Sequence, residues 1–66
     1  MSPINVADFF NHRIQKFTAD GQFLVAFGDH GSAPAQLDRP TDVAVEDEGN
    51  VYVVDFGNDR VQVFGR

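Results

Sequence analysis

Cysteine and tryptophan are absent from the 66-residue chain, and methionine and tyrosine occur once each. Without cysteine there is no disulfide framework and no thiolate metal site, the usual supports of very small domains. No apolar run approaches the ~18 residues that a membrane-spanning helix needs. The opening MSPINVADFF lacks a basic stretch followed by an apolar core, so no secretory signal is read there and the compartment stays open. Basic residues are scarce, five against ten acidic, and a net charge of −5 is a poor start for gripping phosphates. What remains is the mix of a globular chain: 42% apolar, 23% charged, with seven phenylalanines, too apolar for disorder.

The chain repeats itself. Val6-Ala7-Asp8-Phe9-Phe10-Asn11-His12-Arg13-Ile14-Gln15-Lys16-Phe17 aligns without gaps on Val53-Val54-Asp55-Phe56-Gly57-Asn58-Asp59-Arg60-Val61-Gln62-Val63-Phe64. Seven of the twelve positions are identical at an offset of 47 residues, within the period of repeat architectures. Each copy reads as two strands around a turn: Ile4–Asp8 and Arg13–Phe17, then Asn50–Val54 and Arg60–Phe64. Gln22–Phe27 reads as a further strand entered through a two-residue Asp20-Gly21 hairpin, and Thr41–Val45 as another. Gly28–Pro40, rich in Gly, Ala and Pro, reads as loop.

The middle strands are apolar on both faces: Phe23, Val25 and Phe27 oppose Leu24 and Ala26, and Val51 and Val53 oppose Tyr52 and Val54. A sheet packed on one side alternates apolar with polar. These sheets are therefore expected to be covered on both sides, as sandwich layers or propeller blades are, and the repeat favours the propeller.

Pro40-Thr41-Asp42-Val43-Ala44-Val45, Gly49-Asn50-Val51-Tyr52-Val53-Val54-Asp55 and Gly57-Asn58-Asp59-Arg60-Val61-Gln62-Val63-Phe64 resemble the NHL repeat, as do Asn11-His12-Arg13-Ile14-Gln15-Lys16-Phe17 and Asp20-Gly21-Gln22-Phe23-Leu24. The resemblance covers Ile4 to Phe64 and is to the bacterial Asn-His-Arg form, about one and a half repeats. It implies an all-β chain of antiparallel meanders forming two partial blades of a six-bladed β-propeller. Residues 1–38 would supply strands B, C and D with the inter-blade loop, and residues 39–66 strands A, B and C of the next blade. Phe10 stands where the second copy has Gly57, so a positive φ there would strain the first turn. Asp59 replaces His12, so no histidine recurs.

Successive connections of a meander lie at alternate ends, which puts the turns Asp8–Arg13 and Asp55–Arg60 beside the loop Gly28–Pro40. That end is the candidate binding face, with His12, Arg13, Asp29, His30, Arg39, Asp59 and Arg60. Asp8, Asn11, Asp55 and Asn58 read as turn-building residues, because short carboxylates and amides bond nearby backbone and arginine bridges to them. Phe17, Phe23, Phe27 and Phe64 read as blade-to-blade core, and Phe9 and Phe56 as nearer the surface. His12, His30 and Asp29 fall short of the ligand set of a closed zinc site, and Glu46-Asp47-Glu48 lacks the alternation of a calcium loop. No metal and no cofactor is expected.

No nucleophile motif or phosphate-cradling glycine loop is present. The resemblance implies a non-catalytic, protein-binding scaffold. Its alternatives are an RNA-binding propeller, disfavoured by charge, or part of a metal-dependent propeller hydrolase or lyase. Open apolar faces predict packing against further blades or against copies of the chain.

Overall fold

The computed structural model describes residues 3–65. Two three-stranded antiparallel sheets dominate the fold, each with its strands side by side in chain order. The first comprises β1 (Ile4–Asp8), β2 (Arg13–Phe17) and β3 (Phe23–Phe27), and the second β6 (Pro40–Val45), β7 (Val51–Asp55) and β8 (Arg60–Phe64). Valine, isoleucine and phenylalanine dominate these segments, as extended backbone beside a packed face favours. Pro40 opens β6, where its missing N–H breaks no ladder bond. Among the described residues no helix is long and apolar enough to cross a membrane.

The repeat is preserved in three dimensions. Asp8 pairs with Arg13 and Asp55 with Arg60, and Ala7 with Ile14 as Val54 with Val61. Each pair is joined by a 3-10 turn, Phe9–Asn11 or Phe56–Asn58. The left-handed residue comes after that turn, at His12 (φ 53°) and Asp59 (φ 53°), and not at Phe10 or Gly57. Phe10 thus neither strains nor reshapes its turn, contrary to the sequence expectation. Gly57 is small for another reason: a Cβ there would overlap the side chain of Asp38.

The Asp20-Gly21 turn also departs from expectation. Gly21 N–H donates to Thr18 O (3.0 Å) and Thr18 N–H to Gln22 O (2.8 Å), so the hairpin is longer than two residues, with Gly21 at φ 95°. Glu46–Asn50 has the same form, with Gly49 at φ 88°. The acidic turn is held from within: Glu46 Oε1 accepts from the N–H groups of Glu48 (3.0 Å) and Asn50 (2.9 Å). The stretch read as loop contains a short parallel pair, β4 (Asp29–His30) with β5 (Gln36–Leu37).

The sheets stack on one another, β1 lying against β6. Ile14 of the first sheet, Val53 of the second and Leu37 between them are fully buried, ringed by Ala7, Phe27, Val43, Val51 and Phe64. Phe27 and Phe64 meet across this seam at 4.9 Å between ring centres. Phe17 and Phe23 pack edge to face on each other instead, outside the buried cluster, and Phe23 is exposed. Each sheet is covered on one side by its neighbour. Ile4 and Val6 on the first, and Tyr52, Val54, Val61 and Val63 on the second, face outward. The expectation of cover on both sides is met on one, because a two-sheet stack has one seam.

Candidate functional site

Equivalent positions of the two repeats carry the same polar cluster. Asp8 Oδ2 accepts from Asn11 Nδ2 (3.1 Å), Arg13 Nε (3.1 Å) and Gln15 Nε2 (3.0 Å). Asp55 Oδ2 accepts from Asn58 Nδ2 (3.0 Å), Arg60 Nε (2.8 Å) and Gln62 Nε2 (3.1 Å). The register produces this convergence: paired Asp and Arg share a sheet face, and the glutamine two residues on returns to it. Hydrogen bonds from Asn11 and Arg13 hold the Asp8 carboxyl below the usual carboxylate range. Burial pushes the Asp55 carboxyl up, and the Asp38 N–H, Asn58, Arg60 and Gln62 together outweigh it and bring it down.

The second cluster also clamps the chain that joins the sheets. Asp55 Oδ1 accepts the Asp38 N–H at 2.7 Å, and Asn58 Nδ2 donates to Gly31 O at 2.8 Å. Arg60 donates through Nη1 to Ser32 O (3.1 Å) and through Nη2 to Ala33 O (3.0 Å) and Gln36 O (2.8 Å). Gly57 N–H donates to Asp38 O at 2.8 Å, the close approach that excludes a side chain at 57.

His12, His30, Asp38 and Arg39 come together at the end where this segment meets the first turn. The imidazoles of His12 and His30 stack at 3.8 Å and 14°. Both reach toward Asp38 Oδ1, His12 Nδ1 at 3.6 Å and His30 Nε2 at 3.7 Å. Arg39 closes the group: its N–H donates to His12 Nδ1 (3.0 Å) and its Nε to Asp38 Oδ1 (3.0 Å). This bond from Arg39, more than the desolvation opposing it, holds the Asp38 carboxyl below its ordinary range. Two imidazoles and a carboxylate within 4.8 Å have the donor chemistry of a metal centre. Near-parallel rings, however, send their in-plane lone pairs side by side, and Arg39 already engages the shared oxygen. The arrangement is that of a hydrogen-bonded stack.

Of the residues read as a binding face, then, His12 meets both His30 and Arg39, and all three converge on Asp38. Arg13 and Arg60 instead bind the carboxylates of their own repeats. Asp29 pairs with Gln36 in the β4–β5 ladder, and Asp59 is an exposed left-handed turn residue. Sequence reasoning did not single out Asp38, Gln15 or Gln62, although Asp38 falls among the acidic residues of that end. The glutamines were signalled by their identity in the repeat, whereas Asp38 has no counterpart within the chain. Apolar surface accompanies the group: Phe10 is 86% exposed, and Arg39 sits over the exposed Phe56 ring at 5.6 Å. At the other end of the seam a cavity of about 460 Å³ is lined by Asn5, Lys16, Glu46 and Val51 among others.

Residues 37–64, from the buried Leu37 to the last residue of β8, match the NHL repeat family model. NHL repeat-containing protein 3 of Homo sapiens is 38% identical over 56 residues, 85% of this chain and 16% of that protein. Protein brain tumor of Drosophila melanogaster is 43% identical over 65 residues, 96% of this chain and 6% of that protein. Protein lin-41 of Caenorhabditis elegans is 61% identical over 33 residues, 48% of this chain and 3% of that protein. The chain thus spans less than a fifth of the length of each of these relatives. With the motif, the doubled sheet and these likenesses in agreement, the chain belongs to the NHL repeat family.

Proposed function

We propose that this chain is a stretch of NHL propeller acting as a non-catalytic scaffold, with the loop end of its sheets engaging protein partners. In this reading residues 1–38 are strands B, C and D of one blade with the joining loop, residues 39–66 are strands A, B and C of the next, and the full ring has six blades. The observation that carries it is the surface at the loop end, where the exposed Phe56 lies under Arg39, which also bonds His12 of the His12–His30 stack, and Phe10 stands exposed on the turn that leads into His12. Aromatic rings and arginine are what interface centres concentrate. Asp8 and Asp55 with their partners hold the turns that present this surface.

RNA binding is the second reading, favoured by the same rings and histidines as platforms on which bases stack. The net charge of −5 weighs against it. The test is retention of partners on the immobilised chain and on a Phe10→Ser/Arg39→Ser variant, with a gel shift at low salt alongside. Protein retention lost in the variant, without RNA binding, supports the scaffold reading. Salt-sensitive RNA binding, or a stoichiometric bound metal by elemental analysis, overturns it.

A further inference from the structure

The bonds that join His12, His30, Asp38 and Arg39 depend on the charge of two imidazoles. The Arg39 N–H donates to His12 Nδ1 at 3.0 Å, so that nitrogen carries no proton and the ring is neutral. Histidine is the side chain whose charge ordinarily changes between about pH 5 and 8. A proton on Nδ1 turns the acceptor into a donor and sets two N–H groups head to head. The backbone cannot yield, because the same peptide unit is held on its other side: Asp38 O accepts from the Gly57 N–H at 2.8 Å. The ring must therefore move. His30, stacked on it at 3.8 Å, adds to the push, since two imidazolium ions at that separation repel. Among the described residues, Asp38 is the one carboxylate within 4 Å of a nitrogen of either ring. Its Oδ1 lies 3.6 Å from His12 Nδ1 and already accepts from Arg39 Nε at 3.0 Å. The remaining charges nearby are Arg13, bound to Asp8, and the exposed Asp29 and Asp59; the Phe56–Asn58 turn carries no ionisable side chain.

We propose that His12 and His30 are a pH switch built into the loop end. With both rings neutral, Arg39 is held on Asp38 and over the Phe56 ring. On protonation His12 leaves the Arg39 N–H and the stack, turns to Asp38 Oδ1, displaces Arg39 Nε and sends the guanidinium off Phe56. The open form takes up protons that the stacked form excludes, so falling pH populates it. Each contact in the group runs between residues 12 and 57, in the interior of the chain. The switch deepens the proposed loop-end interface by assigning its regulation, and rests on that reading for its use.

The experiment follows the isotope-labelled full chain by NMR from about pH 8 to about pH 5, with no partner present. The Arg39 amide proton is expected to move upfield, and its protection against exchange to fall about fivefold or more, the worth of one hydrogen bond. The midpoint matches that of the His12 ring nitrogens, and the Arg39 Hδ protons lose the ring-current shift of Phe56 over the same range. His12→Asn keeps an acceptor for the Arg39 N–H and suits the left-handed backbone (φ 53°), but does not titrate. In that variant the Arg39 amide is expected to stay level; if it does not fold, the midpoints of the parent chain decide. An Arg39 amide that stays level in the parent, moves with another midpoint, or still moves in folded His12→Asn overturns the switch. The switch observed on a chain that retains no protein supports the switch and overturns the interface alone. Partners retained by a chain whose Arg39 amide stays level do the reverse.

Discussion

Asp8 and Asp55 occupy equivalent places, yet the Asp55 side chain is fully buried and that of Asp8 is 19% exposed. Removing one partner of a buried, hydrogen-bonded ion pair costs about 3–5 kcal/mol, because the other charge stays behind without compensation. Asp55→Ala strands Arg60 and frees the Asp38 N–H, and a domain of this size has roughly 3–10 kcal/mol to lose. That variant is expected to be largely unfolded in urea titration, whereas Asp8→Ala retains a cooperative transition; equal losses would contradict the difference in burial. Gly57 and Phe10 form a second unequal pair. Gly57→Ala pushes a methyl group into Asp38 and should lower the melting temperature, while Phe10→Ala, which removes an exposed ring, should leave it nearly unchanged.

The element joining the sheets decides whether they cohere. Gly28–Pro40 sends Leu37 into the seam between Ile14 and Val53 and lays its backbone on Arg60 and Gln62. Leu37→Ala therefore opens a cavity shared by both sheets, and a cost of about 2–5 kcal/mol is expected by chemical denaturation. The same segment couples stability to acid. Asp8, Asp38 and Asp55 all have folded-state values below the ordinary 3.8. Their contribution is complete above that value and is lost as pH falls through the lowered ones, since the unfolded chain then binds more protons. Thermal melts should be level above pH 3.8 with respect to these groups and decline below it, and Asp55→Asn should flatten that decline.

At the scale of the whole molecule, the described residues form one seam and leave the outer side of each sheet uncovered. Tyr52, Val54, Val61 and Val63 form an apolar surface on the outer side of the second sheet. Contiguous apolar surface of this kind drives association. Light scattering is expected to rise with protein concentration, and Val61→Lys, at a position 60% exposed, should suppress the rise without lowering the melting temperature. Scattering independent of concentration in the parent chain would show that these faces stay apart.

The linear order of residues was enough to reveal the doubled unit, its six main strands and the grouping of turns at one end, because strand periodicity and turn chemistry act over a few neighbours. It also pointed to Asp8, Asn11, Asp55 and Asn58, whose partners within their own repeat lie no more than seven residues away. Distance along the chain hid the rest. The pairing of His12 with His30, the burial of Leu37 and the closeness of Asp38 to Gly57 join residues 16 or more positions apart, and no local pattern records them. Which of two identical clusters is filled, and which apolar faces meet, was decided only when the sheets stacked, since a seam covers one side of each sheet and the backbone segment between them can lie across a single cluster.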